Sequence, residues 1–173
     1  MGVTMASNRH LGRIIALQTL YEKEFREDAG DIDFSTDEIL ERNIARYKEM
    51  VDDINFITQL VTGVSKSTAE LDKKLQPVAP EWPIDQIARM DRIVLRMGLY
   101  ELESEADVPP KVVINEAVEL AKAFGGANSS KFINGVLGTL LRAQEALNPL
   151  QLKKPTQTKP VKKVTKKAPK KAA

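Results

Sequence analysis

The stretch Asp91-Arg92-Ile93-Val94-Leu95-Arg96-Met97-Gly98-Leu99-Tyr100-Glu101-Leu102 decides the fold class. Wound at about 100° per residue, it spreads Ile93, Val94, Leu95, Met97, Leu99, Tyr100 and Leu102 nearly all the way round, the pattern of a helix covered on every side. Such a helix is the spine of a domain, and it needs other helices to bury it.

The flanking sequence supplies them. Downstream, Pro109-Pro110 breaks the chain, and a helix over about Val112 to Phe124 sets Ile114, Ala117, Val118 and Ala121 at i, i+3, i+4 and i+7 before Gly125-Gly126 stops it. A last helix begins near Asn128 or Ser129, carries Phe132, Ile133, Val136, Leu137 and Leu140 on one stripe, and ends before Pro149. Upstream, a first helix runs from Ser7 or Asn8, either able to cap it, to about Asp28, with Leu11, Ile14, Ile15, Tyr21 and Phe25 on one face. A second starts at Ser35, where Ser35 and Glu38 have capping-box spacing, and turns Ile39, Leu40, Ile44 and Tyr47 to a core. A third starts at about Asp52 and continues through Ile57, Leu60, Val64 and Leu71 to Leu75, until Pro77 and Pro80 end it; Pro83 then opens a short helix to Arg89. No stretch alternates apolar and polar residues between turn signals, so the expectation is an all-α domain of about seven helices.

The 173 residues suit a single domain with at most one appendage, and 42% hydrophobic with 29% charged residues is the balance of a globular chain. Cysteine is absent and His10 is the single histidine, which excludes disulfides, thiol catalysis and a cysteine or multi-histidine zinc site. Of the 26 basic residues nine are lysines beyond Leu152, where there is no acid, so the body holds 17 basic against 24 acidic residues. A body at about −7 thus carries a tail at +9. That Lys/Pro/Ala/Thr segment has too little apolar surface to fold and is expected to be disordered over 151–173. The expected divisions are a flexible N-terminus over 1–6 and a helical domain over 7–150. No run of about 18 apolar residues exists, the first residues lack the pattern of a secretory signal, and Ala6 spoils a myristoylation pattern, all of which points to the cytoplasm and away from membranes.

Motifs for catalysis are missing: no Gly-rich phosphate loop, no GxSxG, no metal-loop carboxylates, and Glu116 and Glu119 interleaved with Lys122 read as a solvated helix face. Neither an enzyme nor a cofactor is expected. Two places combine basic and aromatic residues. On the first helix Arg9 and Arg13 share a side opposite the Leu11/Ile14 stripe and are suited to phosphates, or form a plain solvated pair; Tyr21, on the shoulder of the stripe, is either a core residue or a platform for an unpaired base. His10 reads as a surface residue. At the start of the last helix, Asn128-Ser129-Ser130-Lys131-Phe132 joins exposed N–H groups to a lysine, with Ser129 or Ser130 as N-caps and Phe132 at the margin of its stripe, stacking or core.

The spine segment, followed by Asp107-Val108-Pro109, by Val113-Ile114-Asn115-Glu116-Ala117-Val118-Glu119-Leu120-Ala121-Lys122 and by Lys131-Phe132-Ile133-Asn134-Gly135-Val136-Leu137, resembles the NusB family of transcription antitermination factors in order and spacing. The resemblance spans about Arg9 to Leu147. It implies two packed small helical bundles without a catalytic centre, which bind the boxA element of ribosomal RNA transcripts. The implied partners are the small-subunit ribosomal protein NusE, other Nus factors and RNA polymerase. It also implies RNA contacts at Arg9, His10, Arg13, Tyr21, Asn128, Lys131 and Phe132, and a ribosomal-protein face elsewhere, at the acidic start of the spine marked by Asp91. This sequence departs from the family pattern where the N-terminal arginine cluster is thinned to Arg9-His10-Leu11-Gly12-Arg13, and where Asn128 replaces a common aspartate. The thinning keeps a second expectation open, an adaptor of the same fold without sequence-specific RNA reading; homodimers occur among relatives. A similar module fused to ribosomal RNA methyltransferases is a weaker match, because nothing after Leu152 can fold into an enzyme.

Overall fold

A computed structural model describes residues 5–104 and 107–147. The Lys-rich tail and residues 1–4 of the expected flexible N-terminus lie outside the described residues. Six α-helices occur in chain order: α1 (Met5–Asp28), α2 (Thr36–Arg46), α3 (Ile54–Leu75), α4 (Arg89–Ser104), α5 (Pro110–Phe124) and α6 (Ser129–Leu147), with no strand among the described residues. The expected short helix Pro83–Arg89 is a single 3-10 turn, Ile84–Gln86, and this lowers the α-helix count from about seven to six. The reason is tertiary: Ile87 takes an extended backbone, with φ −67° and ψ 135°, which lets its side chain reach the core and breaks the helical path.

α4 is the spine that the sequence predicts. Ile93, Val94, Leu95, Met97 and Leu99 are buried, and α1, α3, α5 and α6 all pack against it. One contiguous core runs from Ile15 and Leu40 through Ile57, Leu95 and Leu99 to Leu137 and Leu140. One core thus takes the place of the expected pair of small bundles, because α4 packs against α1, α3, α5 and α6 together. Burying apolar area on every side of one helix is what stabilises this arrangement, at roughly 25 cal/mol per Å².

Ionic pairs set the direction of α1 against α4. Asp28 meets Arg89 at 2.7 Å, Glu24 meets Arg92 at 3.0 Å, and Arg13 meets Glu101 at 2.7 Å, so the two helices run antiparallel. Arg96, buried in the middle of α4, binds Asp72 of α3 at 2.6 Å and also Glu24.

The helix ends differ from expectation in two places. α1 begins at Met5, so Asn8 lies inside it; the side chain is buried and its Nδ2 donates to Asp52 Oδ2 at 2.5 Å, reaching the loop before α3 rather than capping its own helix. Ser35 does precede α2, yet its hydroxyl caps nothing; Asp37 and Glu38 supply the negative charge that the first turn favours. Asp53 is a true cap of α3, accepting from the Phe56 N–H at 3.0 Å. α5 ends at Gly125, whose N–H donates to the Ala121 carbonyl at 2.9 Å. A Cβ on Gly125 would lie 2.6 Å from that carbonyl oxygen and 2.5 Å from the Ser129 Cβ, so only glycine lets α6 start this close to α5.

Candidate nucleic-acid interface

The antiparallel pairing of α1 and α4 places the sequence-predicted residues in two groups. Arg9 and Tyr21 are separated by roughly 18 Å along α1 at about 1.5 Å per residue.

The first group surrounds the N-terminal end of α1. Arg13 is not on a solvated face: it is 3% exposed, and its Nε and Nη2 donate to the two oxygens of Glu101 at 2.9 and 2.7 Å, while Nη1 lies 3.4 Å from Glu116 Oε2. Next to it, Gly12 lets α1 lie close to α3, where a Cβ would meet Ile57 at 3.1 Å, and Arg13 at the following position is held by the acids of α4 and α5. The Arg13 guanidinium also lies 5.3 Å from the Phe56 ring centre. Arg9, a third exposed, faces the same ring at 4.9 Å and Asp53 at 3.6 Å. His10 is a surface residue as expected, and its Nδ1 donates to Glu116 Oε2 at 2.7 Å. Glu116 therefore joins His10 to Arg13, which the reading of it as a solvated residue overlooked; Glu119, paired with Lys122 at 2.7 Å, is solvated as read.

The second group lies where α4 and α6 begin. Tyr21 is half-buried against the core, and the Arg89 guanidinium sits 5.5 Å from its ring centre and 5.3 Å from that of Phe25. Arg89 donates a hydrogen bond to Asp28 at 2.7 Å, and this bond is the main reason that the Arg89 pKa is raised. Ser129 Oγ accepts from the Gly126 N–H at 2.8 Å and donates to Asp91 Oδ2 at 2.8 Å, which makes it the joint between the start of α6 and the start of α4 rather than a cap. Asn128 and Lys131 are exposed, and Lys131 has no acid in salt-bridge range among the described residues. Phe132 is half-buried, with part of its ring packed on the core and part lining a cleft of about 430 Å³ together with Asp91, Asn128, Ile87 and Trp82. Asp91, expected on a separate face, thus shares the cleft of Asn128 and Phe132. Trp82, 55% exposed, was missed in the sequence, although an aromatic residue between Pro80 and Pro83 in an inter-helix loop is a readable signal of surface exposure.

Among the described residues no group of three His, Asp or Glu side chains could hold a metal ion, and no helix is long and apolar enough to cross a membrane. The buried acid Glu101 and the largely buried Asp72 are both engaged by arginines. What the surface offers is cations, amides and half-exposed rings.

The NusB family model matches residues 10–142. The chain belongs to the NusB family. The transcription antitermination protein NusB of Chloroflexus aggregans is 42% identical over 141 residues, covering 80% of this chain and 90% of that protein. NusB from T. maritima shares the fold with a TM-score of 0.70 at 29% identity, covering 82% of this chain and 93% of the other. A solved complex of the antitermination factors NusB and NusE with dsRNA matches with a TM-score of 0.69 over 81% of this chain and 99% of that chain, and at 23% identity it is a likeness of fold. Both residue groups of this NusB-family chain fall inside the matched segment, except Arg9, which precedes it by one position.

Proposed function

We propose that this NusB-family chain is a transcription antitermination factor that acts by binding and not by catalysis, holding boxA RNA together with the ribosomal protein NusE, other Nus factors and RNA polymerase. Its place of work is the cytoplasm. Family membership supports the role, and one observation carries the RNA site: at the start of α6, exposed Asn128 and Lys131, which has no acid partner among the described residues, stand beside the half-exposed ring of Phe132. A cation for phosphate, an amide for a base edge and a ring for stacking are the elements of single-strand recognition.

On α1, Arg9 and His10 form a second patch at the far end of the helix, and Tyr21 offers a ring edge beside Arg89 at the start of α4. Arg13 contributes indirectly: pinned between Glu101 and Glu116, it sets the position of the end of α1 that carries Arg9 and His10. Asp91 marks where NusE meets the RNA site, since it borders the same cleft. The body at about −7 repels RNA over much of its surface, so the positive groups act locally.

The deciding experiment measures binding of boxA RNA and a scrambled RNA, with and without NusE, to the full chain and to a version stopped at Leu152. The expected result is a boxA preference that survives truncation and grows with NusE. Equal binding of both RNAs that vanishes with the tail would instead make the helical body an adaptor, the reading that the burial of Arg13 favours.

A further inference from the structure

Trp82 is the residue that the family reading leaves without a role. It is the single tryptophan of the chain, and it stands 55% exposed on the loop between α3 and α4, between Pro80 and Pro83. Two hollows of about 430 Å³ each open on either side of it. Trp82 and Phe132 are the two residues that line both. One hollow continues to Gln86, Asn128 and Asp91; the other runs along α6 past Lys131, Gly135 and Thr139.

An indole kept half in water on a proline-braced loop loses little conformational freedom when a ligand covers it, because both flanking prolines hold their φ. The groups around the two rings select the ligand. Lys131 is a cation without an acid partner among the described residues, Asn128 and Gln86 present amides, and the first turn of α6 adds N–H groups. Of the two acids on the lining, Asp91 accepts from the Ser129 hydroxyl through one oxygen, and Glu81 is exposed to solvent. Flat apolar walls with amides and one cation at the edge match unpaired bases and their phosphate; an apolar peptide side chain would leave those amides and the lysine without partners. The absence of a Cβ at Gly135, where nothing lies within 4 Å, keeps the second hollow open to a group as broad as a base.

We infer that Trp82 and Phe132 form a two-sided stacking site for successive unpaired bases of the bound RNA, with Lys131 on the intervening phosphate. This rests on the RNA-binding reading above and adds to it a residue on a different loop. It also offers a chain with a thinned arginine cluster another source of RNA affinity, since base–aromatic stacking takes over part of what phosphate contacts would supply.

The test uses the full chain and a single-stranded boxA RNA, at an ionic strength where a scrambled RNA no longer binds. Binding is followed both by a label on the RNA and by the emission of Trp82, the single indole. The expected result is quenching of that emission with the same dissociation constant as the labelled RNA reports, a loss of about 5- to 150-fold in affinity for Trp82→Ala, and a smaller loss for Trp82→Phe, which keeps a ring. Circular dichroism of both variants should match the parent, since the indole is outside the core. Tight RNA binding with unchanged emission and an unaffected Trp82→Ala variant would overturn the stacking site while leaving the RNA-binding function standing. Emission that responds to NusE alone, and not to RNA, would overturn it by assigning the hollows to the protein partner. No specific RNA binding by the parent chain under any condition would overturn both readings.

Discussion

Glu101 and Arg13 are each 3% exposed, and each is the other's bidentate partner. Removing Glu101 alone breaks a buried bidentate pair and leaves Arg13 with the 3.4 Å contact to Glu116, a loss of about 3 kcal/mol at the lower end of the range for broken buried pairs, whereas replacing both with apolar residues of similar size is close to neutral. Glu101→Ala should therefore lower the stability measured by urea unfolding by about that amount, and Arg13→Met combined with Glu101→Leu should lose less than the single change. Because Arg13 holds no solvent-exposed donor for phosphate, RNA affinity of the double variant should fall only as far as the end of α1 shifts. Arg13 also shows why the sequence misleads at this scale. Its side of α1 reads as polar and hence outward, yet a polar residue faces inward when a distant acid meets it, and Glu101 lies 88 positions away.

At the scale of elements, the corner between α5 and α6 and the joint between α1 and α2 decide how the candidate interface is presented. Gly125→Ala would drive a methyl group into the Ala121 carbonyl and Ser129, so the corner must open and the Ser129 bridge to Asp91 must lengthen. The expected destabilisation is about 1–3 kcal/mol, with weaker RNA binding in the same variant. Gly135→Ala is the contrasting case: with nothing within 4 Å, the added methyl should stabilise α6 by about 0.5–1 kcal/mol, read as a higher midpoint of thermal unfolding. On the other side, Glu22 of α1 binds Arg42 of α2 as well as Arg26. Burial pushes the Glu22 pKa upward, but the hydrogen bonds and charges of Arg42 and Arg26 outweigh it and hold the carboxyl below its ordinary value of 4.5. A carboxylate with a lowered folded pKa contributes stability that is complete above the ordinary value and disappears as pH falls through the folded one. Glu22→Gln should thus lower the unfolding midpoint at pH 7, and the two proteins should converge in acid only once the pH has fallen below the lowered folded pKa of Glu22, where both side chains are neutral. The helices themselves were legible in the sequence because their apolar stripes repeat. Their ends were less so: the cap on α1 and the helix at Pro83 failed because Asn8 and Ile87 answer to Asp52 and to the core, not to their neighbours in the chain.

For the whole molecule, the division of charge sets how it meets RNA. An acidic body with a +9 tail should bind RNA in two ways, one local and sequence-dependent at the start of α6, one diffuse through the nine lysines beyond Leu152. Each phosphate neutralised adds about 0.7 to the slope of log affinity against log salt for a single strand. Stopping the chain at Leu152 should flatten that slope by roughly 2 to 5 while leaving the ratio of boxA to scrambled affinity unchanged, a result that titrations at several salt concentrations would show. A ratio that collapsed with the tail would place the sequence reading in the tail instead.

The amino-acid order by itself determined that the chain is helical, that Asp91 to Leu102 is its buried centre, and that polar and basic residues gather at the start of the last helix, because periodicity and local charge are properties of neighbours in sequence. Only the tertiary structure decided that Arg13 is interior, that Asp91 and Phe132 border one cleft, and that Trp82 stands between two hollows. Those facts depend on which helices meet and how closely. Gly12 and Gly125 control that through the room they leave, and a one-dimensional pattern does not carry such distances.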